Sequence, residues 1–293
     1  MRLARVTARG HEMVVIVDEG RREVVVVPAD PADSDPIATL LREPRELREA
    51  VAARPPGDTL DFGELQFESP LRHPGKIVAV GLNYPDHTAE TGFVPPAEPL
   101  TFAKYASSLT GAGSQIVVPA EVTSQADYEG ELAIVIGRHC PPDGSASLAD
   151  VAAYAVANDV SARDVQFADK QWTRGKSFDT FTPFGPYLVT ADEIDDPQDL
   201  SIVTRLNGQV VQADSTASMV FDIETLLRHI NSGVRLEPGD VILTGTPAGA
   251  GAFLETPSYL THGDVVEIEI PGIGALRNQV VVPSTTRTND ERN

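Results

Sequence analysis

The chain has 293 residues, 41% hydrophobic and 23% charged, enough to bury one large core or a small unit beside a larger one. Its formal net charge of −20 makes a surface that repels nucleic acid and anionic membranes, so both are excluded as partners. A small anionic substrate stays open, because a bound metal and a few local cations reverse the field inside a pocket.

The 23 glycines and 23 prolines favour turns and short strands over long helices. The single cysteine, Cys140, has no internal disulfide partner, which fits a reducing compartment. No apolar run approaches the roughly 18 residues of a membrane span, and the N-terminus leads into no signal-like apolar stretch. The expectation is a soluble, cytoplasmic protein.

In chain order, His11–Val17 and Arg22–Val27 read as a hairpin around Asp18-Glu19-Gly20. Asp35-Pro36 starts a helix carrying Ile37, Leu40 and Leu41, and a second helical piece follows over 45–53, ended by Arg54–Asp58. Residues 1–70 thus read as a small N-terminal α+β domain, with Ser69–Gly75 as linker. From Lys76 the pattern changes to short strands: Lys76–Val80, Ile116–Val118, Glu131–Ile136, Val241–Thr244 and Val265–Ile270. Asp150–Ala157 reads as a helix, with Ser147 and Asp150 at capping-box spacing. Asp222–Ser232 is the strongest helix, with Ile223, Leu226, Leu227 and Ile230 on one face. The polar residues 284–293 are expected to be disordered, which leaves 71–283 as the main domain.

Chemistry concentrates in two stretches. Glu129 and Glu131 stand two apart at the start of a strand, so both point to one face, followed there by Ala133 and Val135. Two carboxylates side by side repel unless a cation neutralises them, and hard divalent cations take such oxygens. Asp159 offers a third acid. Arg163 and Gln166 share a helix face and suit carboxylate or carbonyl oxygens. Lys176 adds an ammonium. His87 and Glu90, three apart after Pro85, suit a ring oriented by a carboxylate, as a general base requires. Taken alone, each of these features is more often an ordinary solvated surface, turn or cap. Gly175-Lys176-Ser177 fails as a Walker A loop because Lys170 stands where glycine is needed, and Gly249-Ala250-Gly251 fails as a dinucleotide fingerprint because of Leu254.

Taken in order, these pieces resemble one family. They are Gly81–Tyr84 leading to His87 and Glu90, Asp127–Leu132, Asn158–Gln166, Gly175–Asp179, Thr182–Pro186 and Glu237–Gly249. Over residues 76–281 the chain resembles the fumarylacetoacetate hydrolase (FAH) family. The resemblance implies an α+β, β-rich fold: an FAH-like mixed β-roll or sandwich catalytic domain behind a small N-terminal domain, usually in a homodimer. It implies a Mg2+ or Mn2+ site with Glu129, Glu131 and Asp159 as ligands. It puts Lys176 beside metal and substrate, and Thr180 behind the ligands. Arg163, Gln166 and Thr246 match positions that hold a substrate's carboxylate and oxo groups, and His87 and Glu90 match a water-activating pair. Lys104-Tyr105 departs from the family's usual Lys-Pro, and Tyr105 is expected to reshape the pocket wall.

The activity expected on this basis is metal-dependent hydrolysis of a carbon–carbon bond in a β-diketo acid of the acylpyruvate type. The alternatives are a 2-oxo acid isomerase, tautomerase or decarboxylase on the same site, or a non-catalytic paralogue that binds such acids.

Overall fold

The main strands, in chain order, are β1 (Arg2–Ala8), β2 (His11–Asp18), β3 (Glu23–Val27), β4 (Ile77–Gly81), β5 (Leu100–Lys104), β6 (Gln115–Val117) and β7 (Gly130–Ile136). They continue with β8 (Val151–Asn158), β9 (Thr182–Thr190), β10 (Ser201–Leu206), β11 (Gln209–Ser215), β12 (Val241–Leu243), β13 (Val265–Ile270) and β14 (Gly274–Val281). The α-helices used below are α1 (Pro36–Arg42), α2 (Pro85–Thr91), α3 (Arg163–Asp169) and α4 (Ile223–Asn231). In this computed structural model the described residues are 1–283 except 19, 21, 22, 28, 31, 43–48, 50–59 and 61. The end expected at 54–58 and the tail at 284–293 lie outside the described residues, as does the helical piece expected over 45–53 except for position 49, and the turn at 18–20 does so in part.

Two open sheets carry the fold, which is mixed α+β and rich in strand. The larger follows the order β3-β2-β1-β9-β8-β7-β12-β4-β5, and the smaller β11-β10-β13-β14-β6. Ile134 and Val156 of the larger sheet share a core with Ile202, Val266, Ile268 and Leu276 of the smaller. The opposite face of the larger sheet buries Ala133, Val135, Ala153 and Ala155 with Ile37 and Leu41 of α1. Strand β7 is buried along its whole length, as its unbroken apolar run requires of a strand covered on both faces. Each fully buried Val, Leu or Ile there contributes about 1.5–3 kcal/mol relative to exposure.

The N-terminal strands join the same sheet. β1 pairs antiparallel with β9 through Arg2↔Val189 and Leu3↔Leu188, and with β2 along its other edge. Helix α1 begins at Pro36, as expected, and Asp35 accepts the Arg72 and His73 backbone N–H groups at 2.9 Å each. Among the described residues no helix is long and apolar enough to cross a membrane.

One element differs from the sequence expectation. Asp150–Ala157 is not a helix: the Ser147–Asp150 capping box closes one short 3-10 turn, Leu148–Asp150, and β8 follows. Alanine favours helices in isolation, but here it serves a crowded sheet. Tyr154 and Val156 enter one core while Ala153, Ala155 and Ala157 enter the other, which is the period of a strand. Helix α4 forms as expected, with the Asp222 carboxylate accepting the Thr225 N–H at 2.7 Å.

Candidate metal and acid–base site

Strand pairing assembles the acids. β7 and β8 run antiparallel with Gly130 opposite Asn158 and Glu131 opposite Ala157, so the start of one strand meets the end of the other. Asp159 N–H donates to the Glu129 carbonyl at 2.9 Å, and Glu129 N–H donates to Asn158 Oδ1 at 3.0 Å. These bonds hold Glu129, Glu131 and Asp159 with one oxygen of each within 4.8 Å of the others, all three buried. Three hard oxygen donors at this spacing fit a divalent cation.

The electrostatics show why a cation suits them. Four buried acids, Asp127, Glu129, Glu131 and Asp159, face three buried cations, Lys104, Arg163 and Lys176. Lys176 Nζ donates to Glu129 at 2.6 Å and to Asp159 at 2.7 Å, and Lys104 Nζ donates to the other Asp159 oxygen. Burial works to raise the Glu129 carboxyl, but Lys176 and Arg163 outweigh it and hold the group down to about 2. Among the described residues Glu131 forms no ion pair, and Lys176 lowers it only in part. Burial, then the Asp159 and Glu129 charges, push its carboxyl well above the usual range, although Gly245 N–H donates to it at 2.8 Å. Burial works to lower the Lys176 ammonium, and Asp159 and Glu129 more than offset it, so the group stays charged. The surplus negative charge therefore falls on Glu131, where a divalent ion would offset it.

Arg163, the first residue of α3, braces the acids from the side. Its guanidinium reaches Asp127 at 2.8 and 2.9 Å, Glu129 at 2.7 Å and Gln166 Oε1 at 3.2 Å, and stacks over Phe253 at 5.0 Å. Most of its donors are thus committed within the protein. Asp127 also accepts the Gly251 and Ala252 N–H groups at 2.8 and 3.1 Å, which ties the 250–252 loop to the same cluster.

The loop after β12 closes a second side. Gly245 sits at φ +99, and a Cβ there would meet Asn83 Cβ at 2.8 Å, so glycine is needed. Thr246 Oγ1 donates to the Gly130 carbonyl at 2.9 Å and accepts from Gln212 at 2.9 Å. Helix α2 supplies the third side. Pro85 stands in its first turn and Gly92 caps it in the left-handed conformation. His87 is buried, its Nδ1 lies 2.7 Å from Glu90 Oε1, and Glu90 Oε2 accepts the Gly249 N–H at 2.9 Å.

One narrow cleft is lined by His87, Glu129, Glu131, Arg163, Gln166, Lys176 and Thr246, with Phe93, Phe102, Phe167, Trp172 and Phe253 as its aromatic wall. Asp159 lies beneath this floor, bonded to both lysines. Thr180 stands apart: its hydroxyl accepts the Val117 N–H at 2.8 Å, and it is not among the lining residues. Tyr105 is not among the residues that line the cleft: it is 57% exposed, and its N–H donates to Ser177 Oγ at 3.0 Å.

Sequence reasoning gave no role to Lys104, Asp127, Gln212 or the aromatic wall. A lysine ending the apolar strand Leu100–Phe102 was the available signal for the first.

Comparison with known proteins agrees with this geometry. Residues 76–281 match the family model for the fumarylacetoacetate (FAA) hydrolase C-terminal domain. The chain is 45% identical over 237 residues to oxaloacetate tautomerase FAHD2A, mitochondrial, of Homo sapiens, covering 80% of this chain and 74% of that one. It is similar to a 2-hydroxyhepta-2,4-diene-1,7-dioate isomerase from Mycobacterium marinum, with TM-score 0.75, 33% identity and coverage of 97% and 99%. It is also similar to a maleylpyruvate hydrolase from Sphingobium sp. SYK-6 in complex with manganese(II) and pyruvate, with TM-score 0.79, 30% identity and coverage of 96% and 99%. With the family match spanning most of the chain and the buried acids lying inside it, the chain belongs to the fumarylacetoacetate hydrolase family of enzymes.

Proposed function

We propose that the protein is a metal-dependent tautomerase of a small 2-oxo acid, with oxaloacetate as the substrate of first choice. The observation that carries this reading is His87, braced by Glu90, lining the same cleft as Glu129 and Glu131 of the acidic cluster. The tautomerase and isomerase among its relatives support it over the carbon–carbon hydrolase that the sequence suggested first.

Glu129, Glu131 and Asp159 would hold Mg2+ or Mn2+. When bound, such an ion acts as a Lewis acid toward the substrate's oxygens. The rest falls to the chain's own residues. Glu90 accepts a hydrogen from His87 Nδ1, which leaves Nε2 free to take a proton. His87 Nε2 takes one proton from C3 of the keto acid, the C–H electrons form the C2–C3 double bond as the C2=O π electrons move to oxygen, and the protonated His87 hands that proton to the C2 oxygen. The product is the enol, and the reverse sequence restores the ketone, so atoms balance without water. Lys176 offsets charge developing on the C2 oxygen, and the Gln166 amide NH2 orients the substrate's carboxylate, while Thr246, its hydroxyl hydrogen held by Gly130, shapes the cleft beside it. The aromatic wall keeps bulk water from His87, which favours return of the proton over attack by water.

The proposal keeps residues 1–70 as an N-terminal unit and 71–283 as the catalytic one. A homodimer in the cytoplasm completes it, and light scattering checks the dimer. The activity is tested by following the ultraviolet absorbance of enol-oxaloacetate in the presence of Mg2+ or Mn2+, above the rate given by the metal alone. Enzyme-dependent decay to the ketone supports the reading. Decay no faster than with metal alone, alongside cleavage of an acylpyruvate into pyruvate and a carboxylate, returns the protein to the hydrolases.

A further inference from the structure

Trp172 is the chain's single tryptophan and stands half-buried in the cleft wall. Its indole lies on Gly81, the last residue of β4. A Cβ on Gly81 would stand 2.4 Å from Cζ3 and 3.1 Å from Cη2, so only glycine leaves room for this seat. On its other side the ring meets Phe102 edge-on, with centroids 5.3 Å apart and planes at 68°. Lys176 Nζ stands 5.1 Å from the centre of the Phe102 ring, and Lys176 N–H donates to the Trp172 carbonyl at 3.1 Å. Indole, phenyl ring and ammonium thus form one continuous stack from the wall to the acidic floor.

We propose that Trp172, seated on Gly81, sets the chain-length limit of the cleft and restricts it to 2-oxo acids about the size of oxaloacetate. This rests on the function proposed above. The charged floor fixes the 2-oxo acid end of a substrate, so any longer chain has to lie against the aromatic wall. Phe253 is committed beneath Arg163 and edge-on to His87 at 5.7 Å, and Phe102 is committed beneath Lys176. Among the described residues, the Trp172 ring makes no such cation contact, so its bulk limits length without holding the charges. Trp172 and Gly81 line the same cleft as Glu129 and Glu131, so the bulk of the indole bears directly on the room left above the acids. One chain carbon gained or lost in an apolar site changes kcat/KM by about 10- to 200-fold.

The experiment measures kcat/KM for oxaloacetate and for 2-oxo acids lengthened at the far end, in wild type, Trp172→Phe, Trp172→Ala and Gly81→Ala. The ratio of long to short substrate should rise about ten-fold or more in Trp172→Ala and less in Trp172→Phe, mainly through a lower KM for the long acids. Gly81→Ala should unseat the indole and move the ratio the same way. Because Trp172 is the sole tryptophan, its emission reports occupancy without turnover. In metal-loaded wild type it should change with oxaloacetate and not with the long acids. An unchanged ratio in folded, metal-binding variants overturns the proposal, as does an equal emission response to long and short acids. If wild type binds short acids selectively by emission but tautomerises none, the length limit stands and the activity assignment fails.

Discussion

His87 Nδ1 lies 2.7 Å from Glu90 Oε1, and the second oxygen of that carboxylate accepts the Gly249 N–H at 2.9 Å. One acid therefore fixes the imidazole tautomer and fastens α2 to the loop after β12. Glu90→Gln keeps a single acceptor, which the Gly249 N–H needs, so the amide NH2 turns to His87 Nδ1. Nε2 then carries the hydrogen and no longer accepts one. The variant should fold and bind metal normally, with kcat reduced by about 100- to 10,000-fold, the range of general acid–base catalysis. Steady-state kinetics beside circular dichroism checks this, and near-normal turnover would remove His87 as the base. His87→Ala should lose activity to a similar extent.

Glu131 carries the surplus charge of the buried cluster, which separates the cost of the acid from its use. Glu131→Gln relieves repulsion from Asp159 and Glu129, so the metal-stripped variant should melt no lower than metal-stripped wild type. Adding Mg2+ or Mn2+ should then raise the wild-type melting temperature and leave the variant unmoved. At 100 times Kd the wild-type gain is about 2.7 kcal/mol. Calorimetry with and without the ion decides; an equal metal-induced rise in both proteins would take Glu131 out of the ligand set.

Arg163 reaches Asp127 and Glu129 from one guanidinium while lying over Phe253. Arg163→Met leaves the buried Asp127 carboxylate without its cation, and removing one partner of a buried pair costs roughly 3–5 kcal/mol. Lysine has neither the fork nor the planar stacking surface, so Arg163→Lys should recover only part of the loss. Urea unfolding measures both.

Away from the site, Asp222→Ala removes the cap of α4 and should cost about 1 kcal/mol of stability. Its kcat/KM should match wild type, which makes it the control for destabilisation alone.

How far the sequence revealed the site depends on whether a role is local or made by pairing. Glu129 and Glu131 were legible because residues two apart at a strand start share a side, and they do converge although the strand itself begins between them at Gly130; Pro85 announced the helix that presents His87 and Glu90. The helix α4 was legible from its apolar spacing and cap. Strand β8 was not, because Val151–Asn158 is rich in alanine, whose helical preference yields here to burial between β7 and β9. Lys104 gains its role only when the end of β5 reaches Asp159, 55 residues later in the chain. Asp127 accepts backbone N–H groups of the distant 250–252 loop, and Gln212 accepts the N–H of Gly130 at the start of β7, roles no local spacing encodes. Tyr105 drew attention as a departure from a motif, yet its side chain faces solvent.

In the proposed reaction His87 moves a proton at C3 of a 2-oxo acid held over the acidic cluster. Hydrogen–deuterium exchange at C3 of oxaloacetate, followed by NMR in D2O with metal-loaded wild type and His87→Ala, reads that step itself. Exchange should run well above the metal-only rate in wild type and be abolished in the variant and on removal of the ion, with the carbon skeleton intact. Exchange that is equal in wild type and His87→Ala would contradict this role of His87.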